Sequence, residues 1–150
     1  MAIFSMHVSE VQRSKGQSAV AASAYISRSK LSLYKNYSSK NKKNITTYSY
    51  INRNDIGYSK IFAPTSAPDW VYDREKLWNR CEEVEKRINS QTARKIMVAL
   101  PIELTAEQNI ELIKEFILKY LIPEGMIVDI NIHNDPQNPH AHLQLTIRAI

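Results

Sequence analysis

The 150 residues carry 43% hydrophobic and 23% charged side chains, enough for one domain with a real core and ordinary for a soluble globular protein. No stretch approaches the ~18 apolar residues of a membrane span, and MAIFSMHVSE lacks a basic start leading into a long apolar core, so neither membrane insertion nor a secretory signal is expected. The single cysteine, Cys81, excludes an internal disulfide and sits among charges in a helical pattern, so it reads as inert in a reducing cytoplasm, while the net charge of +5 leaves an acidic partner open.

In chain order, residues 2–9 (AIFSMHVS) alternate loosely and read as a strand, followed by a turn at Arg13–Gly16. The Ala-rich run from Gln17 predicts a helix to about Tyr34, with Ser18 as its cap. Residues 35–47 are polar and read as a loop; 48–51 and 59–62 read as short strands around a turn at Asn54–Gly57. A Pro-containing linker leads into a helix over 70–89, with Trp70, Leu77, Trp78, Cys81, Val84 and Ile88 on its apolar side. ARKIMVAL (93–100) reads as a buried strand stopped by Pro101. Thr105 caps a further helix that runs to Leu121 and is ended by Pro123 and Gly125. The chain closes on strands at 127–133 and 140–148. Their short loop makes them a hairpin, so the fold class is α+β: a mostly antiparallel central sheet with helices packed on it.

That hairpin carries the strongest chemical signal. His133 ends IVDINIH, and after the loop NDPQNP come His140 and His142 in HAHLQLTIR. Strand side chains repeat every two residues, so an H-x-H pair points both imidazoles to one face, and hairpin pairing brings His133 beside them. Three converging imidazoles hold a divalent cation and leave positions open for substrate. A lone strand histidine usually sits on the surface or in a hydrogen bond; three within ten residues are harder to explain so. With no cysteine nearby a thiolate zinc site is out, and Mg, Mn, Zn, Ni and Co stay open.

Charge is unevenly spread. Residues 1–60 hold ten Lys/Arg against Glu10 and Asp55, a balance of +8, whereas 61–150 hold ten against thirteen, a balance of −3. The basic part also holds Tyr25, Tyr34, Tyr37, Tyr48, Tyr50 and Tyr58. Cations mixed with aromatics suit nucleic acid, single strands above all, although 35–47 alone reads as a solvated basic loop. A metal-assisted phosphodiester cleavage uses either activated water or a protein nucleophile. Tyr25, among Ala21, Ala22, Ser23 and Ala24, is the candidate nucleophile; by itself it also reads as a packed helix aromatic.

Together, AIFSMHVSEVQRSKGQSAVAASAYISR, NSQTARKIMVALPIELTAEQ and IHNDPQNPHAHLQLTIR resemble the MobA/MobL family of plasmid relaxases, tyrosine nicking enzymes of the His-hydrophobe-His endonuclease superfamily. The resemblance runs from residue 2 to Arg148, and H-x-D-x-x-N-P-H-x-H-L is its most specific motif. It implies that Tyr25 attacks the nic-site phosphate and stays linked to the 5′ end, while His133, His140 and His142 hold Mn or Mg. It further implies that Glu85 is an acidic residue near the active site, orienting a histidine or accepting the tyrosine proton. Glu85 also reads as one solvated member of a charged helix with Glu82 and Glu83. Asp135 and Asn138 read as turn-shaping residues behind the ligands; Arg94, Lys95 and Arg148 are candidate phosphate contacts; His7 is not read as a ligand.

The implied partners are single-stranded origin-of-transfer DNA, relaxosome accessory proteins and a type IV coupling protein. The family's domain continues past the metal hairpin, so residues 1–150 are expected to be the relaxase catalytic domain shortened on its C-terminal side. Three rivals share parts of this pattern: a replication initiator or transposase of the same superfamily, a truncated module that binds origin DNA without cutting, and a three-histidine hydrolase using metal-bound water.

Overall fold

The computed structural model describes residues 5–34, 45–85, 87, 89–135 and 137–148. In chain order the elements are β1 (Met6–Gln12), α1 (Ala19–Ser27), β2 (Lys30–Leu33), β3 (Thr46–Ser49), β4 (Ile56–Phe62), α2 (Arg74–Val84), β5 (Gln91–Ala99), α3 (Ala106–Phe116), β6 (Val128–His133) and β7 (His140–Leu145). Five strands form one sheet in the order β1-β5-β7-β6-β4, antiparallel throughout, and β2 and β3 form a separate antiparallel pair. This is the expected α+β architecture. No described helix is long and apolar enough to cross a membrane.

The period-two pattern of β6 (VDINIH) explains the layering, because all six residues are buried. Val128, Ile130 and Ile132 join Leu143, Leu145, Ile113 and Ile117 in a core beneath α3. Asp129, Asn131 and His133 take the opposite face, where Val20, Ala24, Leu77, Trp78 and Ala93 build a second core with α1 and α2. Burying both faces of a central strand with polar residues on one of them requires partners for each polar group. Helices α1 and α2 supply most of them, and Ser59 of β4 donates to Asn131 Oδ1 at 2.6 Å. Asp129 accepts hydrogen bonds from Ser23 Oγ at 2.6 Å, Trp78 Nε1 at 3.0 Å, Arg74 Nε at 2.8 Å and Asn131 Nδ2 at 2.9 Å.

Helix α1 is docked at its start as well as its middle. Ser18 caps it by accepting from Val20 N and Ala21 N. The Ala19 N–H donates to Glu82 Oε1 at 2.7 Å, and Gln144 Nε2 donates to the Ala19 carbonyl at 2.9 Å. Glu82 in turn pairs with the buried Arg13 at 2.9 Å. Its Ala and Ser residues bring the helix backbone close enough to the sheet for these contacts.

Several expected boundaries move. The helix expected to reach Tyr34 ends at Ser27, because Arg28 turns left-handed (φ 53°) and Leu31 and Leu33 alternate inward along β2. The serines favour that exit: Ser27 Oγ turns back to the Ser23 carbonyl at 2.7 Å and meets Ser29 Oγ at 2.5 Å. The two strands expected around Asn54–Gly57 exist, but β3 pairs with β2 and β4 with β6. The helix expected from 70 begins at Arg74, where the Asp73 side chain accepts from Lys76 N; a 3₁₀ turn at Asp69–Tyr72 precedes it. Ile88, the N-terminal part of the 2–9 strand and most of the 35–47 loop lie outside the described residues. Thr105 caps α3 in a reciprocal capping box with Gln108, as its sequence suggests.

Candidate metal centre and active site

The hairpin register is the origin of the site. His133 on β6 faces His140 on β7, and Asn131 faces His142. The three imidazoles lie on the α1 face of the sheet with centroid separations of 4.4 Å (133–142), 4.8 Å (140–142) and 5.3 Å (133–140). One ring nitrogen from each falls within 4.8 Å of the others. They are the His/Cys/Asp/Glu group of metal-binding geometry among the described residues.

Hydrogen bonds select which nitrogens face inward. His133 Nε2 lies 2.8 Å from the Ile26 carbonyl of α1, and His140 Nδ1 lies 2.7 Å from the Asn138 carbonyl in the hairpin loop. A carbonyl only accepts, so each of these nitrogens carries the proton. The lone pairs of His133 Nδ1 and His140 Nε2 are thereby directed elsewhere, the arrangement by which backbone carbonyls orient metal-binding imidazoles. Burial, with His133 and His140 as neighbours, pushes His142 down to about 3. Burial also lowers His133, against the opposing hydrogen bond to Ile26. Three imidazole nitrogens this close together could hold a divalent cation, although His133 Nδ1 also lies 3.3 Å from Arg28 Nη2. Among the described residues no carboxylate joins the three, so the ligand set alone does not select the ion.

Tyr25 stands beside this cluster, one residue before the carbonyl that holds His133. It shares a cleft with His142, Met97, Lys95, Ser9 and His7. Tyr25 is 40% exposed although its helix is docked on the sheet. Tyr50 packs edge-on against it at 5.3 Å, and the guanidinium groups of Arg28 and Arg53 lie 4.6 Å and 5.3 Å from its ring centre. Arg28 also makes a two-point contact with Asp55 (Nε–Oδ1 2.8 Å, Nη2–Oδ2 3.0 Å), which holds the Asp55 carboxyl down at about 2. Arg28, Tyr50, Arg53 and Asp55 were not legible as site residues, because their convergence depends on the left-handed turn at Arg28. A Tyr-x-x-Arg spacing was the available signal.

The other sequence candidates fall elsewhere. Glu85 is not brought to the histidines. It ends α2 and pairs with Arg148 beyond β7, beside Thr92 and Thr146, whereas His140 and His142 occupy the opposite end of that strand. His7 lies on the edge strand β1; Met97 of β5 separates it from His142 in the same cross-sheet row. Asp135 shapes the loop by accepting from Gln137 N at 3.0 Å, and Asn138 contributes its carbonyl to His140. Gly57 meets Asn134 so closely that an added Cβ would lie 2.1 Å from Asn134 Oδ1. That contact seats the Asp55-bearing turn next to His133, with Asn134 N also donating to the Asp55 carbonyl at 2.6 Å.

The structure thus combines an antiparallel sheet, a hairpin whose three histidines could hold a metal ion, and an exposed tyrosine in the cleft beside them. Residues 17–150 match the model of the MobA/MobL family, and the chain belongs to that family. All of the chain aligns at 34% identity over 160 residues with conjugal transfer protein TraA of Rhizobium radiobacter, covering 14% of that protein. It aligns at 31% over 152 residues with the probable mobilization protein MobA of Bifidobacterium longum, covering 26% of it. A solved structure described as the molecular basis of vancomycin resistance transfer in Staphylococcus aureus superposes with a TM-score of 0.87 at 41% identity, covering 99% of this chain and 72% of that one. The chain thus spans a small part of the length of these curated relatives.

Proposed function

We propose that this chain is the nicking domain of a mobilisation relaxase: it cuts and rejoins one DNA strand at a transfer origin through Tyr25. The observation that carries this reading is the placement of a solvent-accessible Tyr25 in one cleft with His142. Relatives named for conjugal transfer and mobilisation supply the biological setting. Origin DNA, accessory relaxosome proteins and a type IV coupling protein are the partners that setting implies.

In the reaction, Tyr25 Oη forms a bond to phosphorus as the bond from phosphorus to the 3′ oxygen breaks. The phenol proton passes to solvent, which reaches the exposed ring, and the departing 3′ oxygen takes up a proton. The strand's 5′ phosphate remains on Tyr25, and attack by a 3′ hydroxyl reverses the step, since the bonds exchanged are of the same type. His133, His140 and His142 would hold the divalent ion, whose charge, when bound, opposes the negative charge that builds on the phosphate oxygens. Ile26 and Asn138 orient two of the ligands through their carbonyls. Tyr50, Arg28 and Arg53 limit the motion of the nucleophile ring. Glu85 is left out of this scheme, because its carboxylate is paired with Arg148.

The test uses single-stranded oligonucleotides tiled across the DNA flanking the protein's own gene, with Mn²⁺ present. A denaturation-resistant protein–DNA adduct that disappears in Tyr25→Phe is the expected result. Cleavage retained in Tyr25→Phe would instead favour a hydrolase using bound water.

A further inference from the structure

Arg28 has no role in the scheme above beyond its stacking on Tyr25, yet it makes contacts that a surface arginine does not. It is the non-glycine residue of positive φ among the described residues (φ 53°), at the position after α1 where glycine is usually favoured. Its side chain is 6% exposed. From there one guanidinium reaches four groups: both oxygens of Asp55, the Tyr25 carbonyl at 2.8 Å through Nη1, the face of the Tyr25 ring at 4.6 Å, and His133 Nδ1 at 3.3 Å through Nη2. It therefore touches both the nucleophile and a metal-site histidine. A residue kept in a conformation that costs backbone energy, with its charge buried and doubly paired, suggests selection for the side chain.

Two consequences follow from this placement. Stacking on the ring while bonding the carbonyl of the same tyrosine restricts the approach of Tyr25 to the cluster. At the same time the guanidinium places a fixed positive charge against His133 Nδ1, the nitrogen left with a lone pair, where it opposes a second cation and offers a competing proton. We propose that Arg28, clamped by Asp55, is a positioning residue that aligns Tyr25 on the histidine cluster at the expense of ion affinity; this rests on the nicking reading above. Loss of Arg28 is then expected to move the two properties in opposite directions, which simple loss of structure does not do.

Arg28→Gly is the informative variant, because glycine accepts the left-handed backbone and the turn is preserved. Mn²⁺ affinity is measured by titration calorimetry on the protein without DNA, and kcat and KM by adduct formation on the tiled oligonucleotides. The expected result is a fall in kcat of about 10²-fold from misplacement of the nucleophile. Mn²⁺ should bind about threefold to tenfold more tightly once the nearby charge is gone. Arg28→Lys keeps the charge and loses the two-point grip; it should lose most of the same kcat while Mn²⁺ affinity stays near wild type. Wild-type kcat in Arg28→Gly overturns the alignment role, and weaker Mn²⁺ binding in Arg28→Gly overturns the opposing-charge role. Failure of the wild-type protein to form any adduct refutes the nicking function and with it the alignment of Tyr25, whereas the Mn²⁺ titrations still decide the part concerning His133.

Discussion

Replacing Asp129 by asparagine removes the charge on which three elements converge while leaving the side-chain shape. Asp129 is fully buried, and its two oxygens receive Ser23 of α1, Arg74 and Trp78 of α2, and Asn131 of β6. An amide offers one oxygen and turns an NH₂ toward donors, so at least one buried donor loses its acceptor and Arg74 loses its counter-charge. Breaking a buried pair from one side costs about 3–5 kcal/mol, and the partial acceptance left by asparagine places the expected loss near the lower end, about 3 kcal/mol. For a domain of this size that corresponds to a fall in Tm of about 6–12 °C. Thermal melts followed by circular dichroism at pH 7 measure it. Ser23→Ala alone should cost about 1 kcal/mol, and the double variant should fall short of the sum by about 0.5 kcal/mol or more, because the two groups share one bond. A melt for Asp129→Asn within about 1 °C of wild type would refute the view that this carboxylate ties α1, and so Tyr25, to the sheet.

The remaining predictions concern the histidines and Glu85. His140→Ala should abolish Mn²⁺ binding in calorimetry with little change in Tm, since His140 is only partly buried; an unchanged titration would remove it from the ligand set. His142, held at about 3 when folded against an ordinary 6.5, stays neutral in the fold while the unfolded chain takes up a proton. Its contribution to stability is therefore complete above pH 6.5 and declines as pH falls toward 3. At pH 4 the loss reaches at most about 3.5 kcal/mol, from about 2.5 units at about 1.4 kcal/mol each. Urea melts of wild type and His142→Asn should thus converge between pH 6.5 and 4, and parallel pH profiles would contradict the cause. Glu85→Gln removes the negative charge facing Arg148 and should leave Mn²⁺ affinity unchanged; weakened binding would return Glu85 to the metal site.

The sequence made the histidine hairpin legible because strand periodicity and a short loop act locally: His133, His140 and His142 could share a face in few other ways. The Thr105 and Ser18 caps were readable for the same reason. What was not readable depended on distant partners. The Ala/Ser-rich run gives no local reason for α1 to stop at Ser27; the stop comes from the left-handed Arg28 and from Leu31 and Leu33 docking along β2. The surroundings of Tyr25 follow from that turn, so Asp55 and Arg28, 27 residues apart, escaped notice. Glu85 was assigned through its motif position, which says nothing of which end of β7 it meets. The edge position of β1 was equally hidden, since nothing in AIFSMHVS distinguishes an edge strand from a central one.

The most direct test of the central claim is to identify the atom that carries the DNA. An adduct formed with Mn²⁺ and the cleaving oligonucleotide would be digested with protease and nuclease and the modified peptide sequenced by mass spectrometry. A nucleotide phosphate on Tyr25 and a free 3′ hydroxyl on the released strand are expected. A phosphate on a different side chain, or cleavage that leaves a free 5′ phosphate and unmodified Tyr25, would contradict the claim.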